Sequence, residues 1–262
     1  MHIVVCIKQV PDTAEVKINP ETNTLIREGV PSIINPFDEN AVEEALRVKE
    51  QCGGSITVVS MGPPQVESTL RDMVAMGVDD IILISDRAFA GADTLATSYT
   101  LGKTIQKYLG DYDLIIFGKQ AIDGDTAQVG PGVAEYLGIP QMTYVVKIDE
   151  VFSDRLIVKR ELEEGYEIVE ASLPAAITVI KGINEPRYPS LKGKMKARSA
   201  ELKVVSAADI DADPERIGLK GSPTWVSKIF TPPAKGNTEK IVDEDGSSAS
   251  IVVEKLKKLQ VI

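Results

Sequence analysis

Short apolar runs punctuate the first half of the chain, at residues 3–8, 55–60, 80–85 and 114–118. Each is dominated by Ile and Val, as expected of strands buried on both faces. Between them the apolar positions change to helical spacing. Val42, Ala45, Leu46 and Lys49 form one stripe, behind a start signal at Asp38. Val66, Leu70, Met73 and Val74 follow i, i+4, i+7, i+8; Leu101, Ile105, Tyr108, Leu109 and Val129, Val133, Tyr136, Leu137 repeat that spacing. Gly77 and Gly138 stand where such helices would stop. This alternation predicts an α/β fold with a doubly wound, mostly parallel sheet.

The pattern then changes. Residues 143–150, 156–161 and 166–171 read as strands joined by the polar turns Ser153-Asp154-Arg155 and Glu163-Glu164-Gly165, an antiparallel meander. Residues 175–180 read as another apolar strand. Beyond Val205 the chain is rich in Pro, Asp and Ser, and ends in one amphipathic helix with Ser247 or Ser248 as N-cap and Val252, Leu256 and Leu259 on one face. That tail carries too little apolar surface to fold alone. The expected division is an α/β domain at 1–205 and an extended C-terminal arm at 206–262, packed on the core or on another subunit.

With 262 residues and 43% apolar content, the chain can build one large core. A net charge of -10 argues against nucleic acid as a partner. No apolar run approaches the roughly 20 residues that span a bilayer, so no membrane insertion is expected. The first residues, Met1 to Cys6, read as a strand and not as a secretory signal. Cys6 and Cys52 suggest reduced thiols in a cytoplasmic protein, and with a single His they make zinc unlikely as a ligand.

Ligands of open α/β sheets sit beyond the carboxyl ends of the strands, where the strand order reverses. Four unusual segments fall there: residues 6–12, beginning at Cys6; Asn35-Pro36-Phe37-Asp38; Ser60-Met61-Gly62-Pro63-Pro64; and the stretch from Gly118 to Pro131. They are expected to converge at one edge. The last is the most informative, because a strand, a Gly-containing turn and a helix start aim backbone N–H groups at an anion. An adenosine phosphate would find an apolar slot at Met61 and Phe37. Gly62, Gly124 and Gly130 would let backbone approach it closely. Thr126 and Gln128 would donate to phosphate or ribitol oxygens. Asp123 and Asp125 would accept from ribose hydroxyls, or shape the turn through Asx bonds. Plainer readings stand beside these. Asp-Gly-Asp-Thr is also a common turn-and-cap string, Asn35 to Asp38 a turn that starts a helix, Met61 core filling, and Cys6 a small buried residue. The stretch lacks the Glu that ends an EF-hand and the Gly-Lys-Ser/Thr of a P-loop.

Between Lys181 and Lys203 seven basic residues face two acidic ones, a local charge of +5. Leu191 stands there among polar neighbours, between Pro189 and Gly193. One apolar anchor ringed by polar residues has the shape of an interface hot spot; a basic surface linker with a stray Leu is the plainer reading.

Several separated motifs, in order along nearly the whole chain, resemble the beta, or small, subunit of the electron transfer flavoproteins. They are Val5-Cys6-Ile7-Lys8-Gln9-Val10-Pro11-Asp12, Asn35-Pro36-Phe37-Asp38 with Ala41-Val42-Glu43-Glu44-Ala45, Gly118-Lys119-Gln120-Ala121-Ile122-Asp123, and Asn184-Glu185-Pro186-Arg187-Tyr188 through Leu191 to Met195-Lys196-Ala197. The resemblance implies a fold like the adenine nucleotide alpha hydrolases and a heterodimer with an alpha subunit, which holds most of one FAD in a mobile domain. A second adenine nucleotide would lie against Cys6, Asn35, Pro36, Phe37, Asp38, Met61, Gly62, Gly118, Ala121, Asp123, Gly124, Asp125, Thr126, Ala127, Gln128 and Val129. It would be AMP in most mitochondrial-type proteins and a whole FAD in the bifurcating type. There, hydride from NADH is divided between ferredoxin or flavodoxin and, through the alpha-subunit FAD, a dehydrogenase of the acyl-CoA type. Residues 181–198 would form the loop that recognises that dehydrogenase, with Leu191, Arg187, Tyr188, Lys194 and Met195 at the contact. Asp123 to Pro131 and Val10-Pro11-Asp12-Thr13 are similar to the bifurcating group, and small residues at Gly124, Ala127 and Gly130 would leave room beyond the adenosine. A non-redox adenine-nucleotide-binding protein on a similar sheet is the competing class.

Overall fold

The computed structural model describes residues 1–12, 32–227, 241, 243 and 246–262; residue 13 of the N-terminal motif lies outside them. Two compact units result, Met1–Ser227 and Lys228–Ile262. The first contains, in chain order, β1 (His2–Ile7), β2 (Gln9–Pro11), β3 (Ser32–Ile34), α1 (Pro36–Cys52), β4 (Ser55–Met61), α2 (Glu67–Met76), β5 (Asp80–Ile84), α3 (Thr94–Tyr108), β6 (Leu114–Gly118), α4 (Val129–Leu137), β7 (Gln141–Val151), β8 (Arg155–Leu162), β9 (Gly165–Ser172), β10 (Ala175–Val179), α5 (Leu191–Ser199) and β11 (Leu202–Val205). The second contains α6 (Ser248–Lys258), whose N-cap is Ser247.

Nine of the described strands form one sheet in the order β11-β5-β4-β1-β6-β10-β7-β8-β9. It is parallel from β11 through β7 and antiparallel only where β8 and β9 fold back. The doubly wound sheet and the meander thus follow the hydrophobic periods. From β1 the chain builds outward through β4 and β5, then returns to place β6 on the other side of β1. The order reverses between β1 and β6.

Alternation along the central strands feeds two cores. Ile3, Val5, Leu114 and Ile116 point to the layer holding α1 and α2, where Val42, Leu46, Leu70 and Val74 are buried. Val4, Cys6, Ile115 and Phe117 point to the layer holding α3 and α4, with Tyr99, Ile105 and Val133. Residues 206–227 also pack on this unit: Ile210 and Ile217 join the second core, and the Leu219 N–H donates to the Ala90 carbonyl at 3.0 Å.

Four elements have no counterpart in the hydrophobic pattern. β2 and β3 pair into a small antiparallel ribbon. β11 closes one edge against β5 with only Val205 buried, so it shows no apolar run. The basic segment that reads as a loop is helical from Leu191 to Ser199, with Ala197 as its single buried residue. A helix that buries one side chain leaves no stripe to detect.

Ile116 sits in the middle of β6, fully buried between β1 and β10. Ile116→Ala is expected to cost about 2–5 kcal/mol, read as a lower urea midpoint with an unchanged slope.

Candidate nucleotide site and docking helix

Asp38, in the first turn of α1, lies under the reversal point. Its carboxylate accepts the Lys8 N–H at 2.7 Å and the Gly118 N–H at 3.2 Å, so it bridges the chain leaving β1 and the end of β6. Asn35 completes the knot. Its Nδ2 donates to the Gln120 carbonyl at 2.8 Å, its Oδ1 accepts the Ile122 N–H at 3.1 Å, and its own N–H donates to the Lys8 carbonyl at 2.8 Å. Lys8 adds an ion pair to Asp123, with Nζ 2.6 Å from Oδ1. A Cβ at Gly118 would overlap the Asp38 carboxylate and lie 2.6 Å from the Phe37 carbonyl carbon, which is why glycine ends β6. Burial pushes the Asp38 carboxyl up to about 7, against the lowering effect of its hydrogen bonds.

The loop from Lys119 to Gln128 is shaped by its backbone. The Gly124 and Asp125 N–H groups donate to the Ala121 carbonyl, at 3.3 and 2.8 Å. Asp125 and Ala127 both lie in the left-handed region, with φ of 58° and 53°. Left-handed backbone costs roughly 1 kcal/mol or more at a non-glycine residue, and such outliers gather at ligand sites. Among the described residues, the Thr126 and Ala127 N–H groups have no acceptor, and α4 begins directly afterwards with no side-chain cap. The open N–H groups of a helix's first turn and the positive end of its dipole favour an anion. A Cβ on Gly124 would meet nothing within 4 Å. The loop's free donors and open side fit a phosphate.

The four predicted segments therefore do gather at one rim, with Met61 and Gly62 reached through the Ser60 hydroxyl, which donates to the Ile7 carbonyl at 2.9 Å. Several individual roles differ from expectation. Asn35 and Asp38 spend their side chains holding backbone, which makes them supports of the loop. Asp123 is paired with Lys8, Asp125 accepts from the Gln120 amide, and Gln128 accepts from the Thr94 hydroxyl at 3.0 Å. Gly130 opens no ligand space: a Cβ there would lie 2.7 Å from the Thr178 methyl, so its missing side chain lets α4 sit on the sheet. At Gly62 a Cβ would likewise lie 2.8 Å from a Val66 methyl. Cys6 is buried in the second core, and burial pushes its thiol far up, so it stays protonated. Ala121, Pro36, Phe37, Met61 and Val129 are half-buried along the rim; Thr126 is exposed.

Leu191 starts α5 and is 80% exposed, with Tyr188 and Met195 exposed beside it in sequence. Leu191 and Met195 are four residues apart and share a helix face. Lys194 is exposed on the same helix. Arg187 is directed inward: its guanidinium grips Glu43 of α1, with Nε 2.8 Å from Oε2, and also reaches Glu50. Burial raises the Glu43 carboxyl, but Arg187 and Arg47 outweigh it and hold it below the usual range.

A profile of the family described as "Electron transfer flavoprotein domain" matches residues 22–210. The chain belongs to the electron transfer flavoprotein family. It is 53% identical over its whole length, and the relative's whole length, to the electron transfer flavoprotein subunit beta of Thermoanaerobacterium thermosaccharolyticum. It is 51% identical to protein FixA of Azotobacter vinelandii, across 99% of this chain and 94% of the relative. It is 49% identical to subunit CarD of the caffeyl-CoA reductase-Etf complex of Acetobacterium woodii, across both full lengths. A beta-type electron transfer flavoprotein subunit implies an alpha subunit as its partner. Among the described residues no helix is long and apolar enough to cross a membrane.

Two supports of this candidate site escape sequence reading. Lys8 lies 115 residues from Asp123, and Thr94 lies 34 from Gln128, so neither pair has a local signal. Asp38 carries a testable consequence. Its folded-state pKa is raised from 3.8 to about 7, so the folded chain holds the proton more tightly than the unfolded chain. The associated stability is fully present below about pH 4 and is lost as pH rises through about 7, on the order of 4 kcal/mol. Asp38→Asn should remove that slope between about pH 4 and 7 while lowering stability at all pH, because an amide oxygen replaces only one of the two accepting oxygens. Urea titrations across that range measure both.

Proposed function

We propose that this beta subunit holds a complete FAD at the rim between the Asn35–Asp38 knot and the start of α4, in a heterodimer that oxidises NADH. The electrons would be divided between ferredoxin or flavodoxin and, through FAD on the alpha subunit, a dehydrogenase of the acyl-CoA type. What carries this reading is the strained turn at Asp125 and Ala127, whose free N–H groups run into an uncapped helix start. When bound, FAD supplies a ring that takes up electrons in pairs and releases them singly. The Thr126 and Ala127 N–H groups and the first turn of α4 bind its pyrophosphate. Gly124 leaves the outer side of the turn open, and the Thr126 hydroxyl is free to meet ribityl oxygens. Phe37 and Met61 flank the adenine, and Asn35, Asp38 and Lys8 keep the loop in place around it.

The sequence similarity to a subunit of a caffeyl-CoA reductase-Etf complex supports an acyl-CoA-type partner. Leu191, with Tyr188, Lys194 and Met195 around it, docks in an apolar pocket of that dehydrogenase; Arg187 serves from below. Helix α6 packs on the alpha subunit, using its exposed apolar positions Ile251, Val252 and Val253.

Co-expression with the alpha subunit, followed by acid release and chromatography, tests the cofactor: two FAD per heterodimer are expected, whereas one FAD and one AMP would overturn the electron-dividing role. Leu191→Ala should slow transfer to an acyl-CoA dehydrogenase about tenfold or more, as removal of a hot-spot side chain does, with flavin content unchanged. Equal rates would reject Leu191 as the anchor.

A further inference from the structure

The helix that presents Leu191 has little reason to be helical by itself. It spans nine residues, contains Gly193, carries Lys192, Lys194, Lys196 and Arg198, and buries only Ala197. Isolated helices shorter than about 12–15 residues are marginal in water, so outside contacts hold this one. At its start the Ser190 hydroxyl caps the Gly193 N–H at 2.9 Å. In the same first turn Gly193 lies directly on α2, where a Cβ would overlap the Ala75 carbonyl oxygen and lie 2.9 Å from the carbonyl carbon. At its end Arg71 of α2 donates from Nη1 to the carbonyls of Ala197, at 2.7 Å, and Ala200, at 3.1 Å. Those are the acceptors a helix C-terminus leaves unpaired, and a cation there also opposes the negative end of the helix. Glu67, one turn earlier on α2, grips the Arg71 guanidinium at 2.8 Å and orients it. Upstream, Arg187 ties the segment before the helix to Glu43 and Glu50 of α1.

We infer that Arg71 and Arg187 are positioning residues for partner docking, two arginine anchors that keep α5 folded so that Leu191 and Met195 meet the partner as a preformed face. Neither takes part in the contact itself. Ordering such a segment at the moment of binding would cost affinity, and the anchors spend that cost during folding. The docking role rests on the proposed function above; the anchoring of the helix does not.

The test uses the heterodimer with its alpha subunit, comparing parent, Arg71→Gln, Arg71→Lys, Arg187→Gln and Leu191→Ala. Amide hydrogen exchange should be at least about tenfold faster across residues 194–199 in Arg71→Gln and Arg187→Gln, with β1, β4 and β6 unchanged. With a purified short-chain acyl-CoA dehydrogenase as acceptor, both Gln variants should raise the KM for that dehydrogenase several-fold, with kcat and bound flavin unchanged. Arg71→Lys, which keeps the cation at the carbonyls, should recover part of both effects. Unchanged exchange in α5 overturns the inference, whatever Leu191 does. Faster exchange with an unchanged KM, while Leu191→Ala raises it, overturns the positioning role. An unchanged KM in Leu191→Ala with faster exchange in the Gln variants rejects the docking assignment of Leu191 and upholds the anchors.

Discussion

One buried carboxylate holds the functional rim together. Asp38 accepts backbone N–H groups from the chain leaving β1 and from the end of β6, the two strands between which the sheet reverses direction. Reversal leaves a crevice, because the connections of the two halves run away from each other. A charge placed in that crevice could be expelled by water or by neighbouring strands. Here it is fixed by two backbone N–H donors at the strand ends. The cost is a desolvated carboxyl with a pKa near 7. The return is a defined spacing between residues 8 and 118, and so a defined start for the loop that follows.

The same helix serves both candidate sites. Its first turn sews up the nucleotide rim, while Asn40, Glu43 and Glu44, all buried, face the segment before α5. Asn184 exchanges hydrogen bonds with Asn40 and donates to Glu44 at 2.8 Å; Arg187 takes Glu43. Buried polar groups are tolerated when every one is paired. Here that pairing ties a chain segment 140 or more residues distant to the helix. An apolar face at these positions would hold the segment by area alone, without fixing its register.

The periodic elements were legible because they are buried on a repeating face. The strand positions in β1, β4, β5, β6 and β10 and the stripes of α1 to α4 all feed the two cores. The convergence of four segments at one edge followed from topology alone. What could not be read was the division of labour inside the rim. Gly62, Gly124 and Gly130 look equivalent in sequence, yet two of them make room for neighbouring side chains and one faces open space. Asn35 and Asp38 look like ligand contacts because they are polar and near the site; their targets include backbone groups 80 or more residues away. Helix α5 and strand β11 escaped because each is made by one buried residue and by contacts from distant segments.

The two sites are built on different physics. The nucleotide loop is defined by backbone: left-handed residues, a carbonyl at Ala121 that collects two N–H groups, and a helix start. The knot beneath it holds it by hydrogen bonds from Asn35 to its backbone at residues 120 and 122. Helix α5 is defined by side chains, chiefly Arg71, which reaches its end from α2, and Arg187, which ties the segment before it to α1. The knot beneath the loop begins on α1, and α5 is held by α1 and α2, helices that share a core. A rim and a helix so mounted keep a fixed relation to each other. On the proposed reading, whatever swings to carry an electron between them must then belong to the alpha subunit, and this chain is the frame against which that motion is measured.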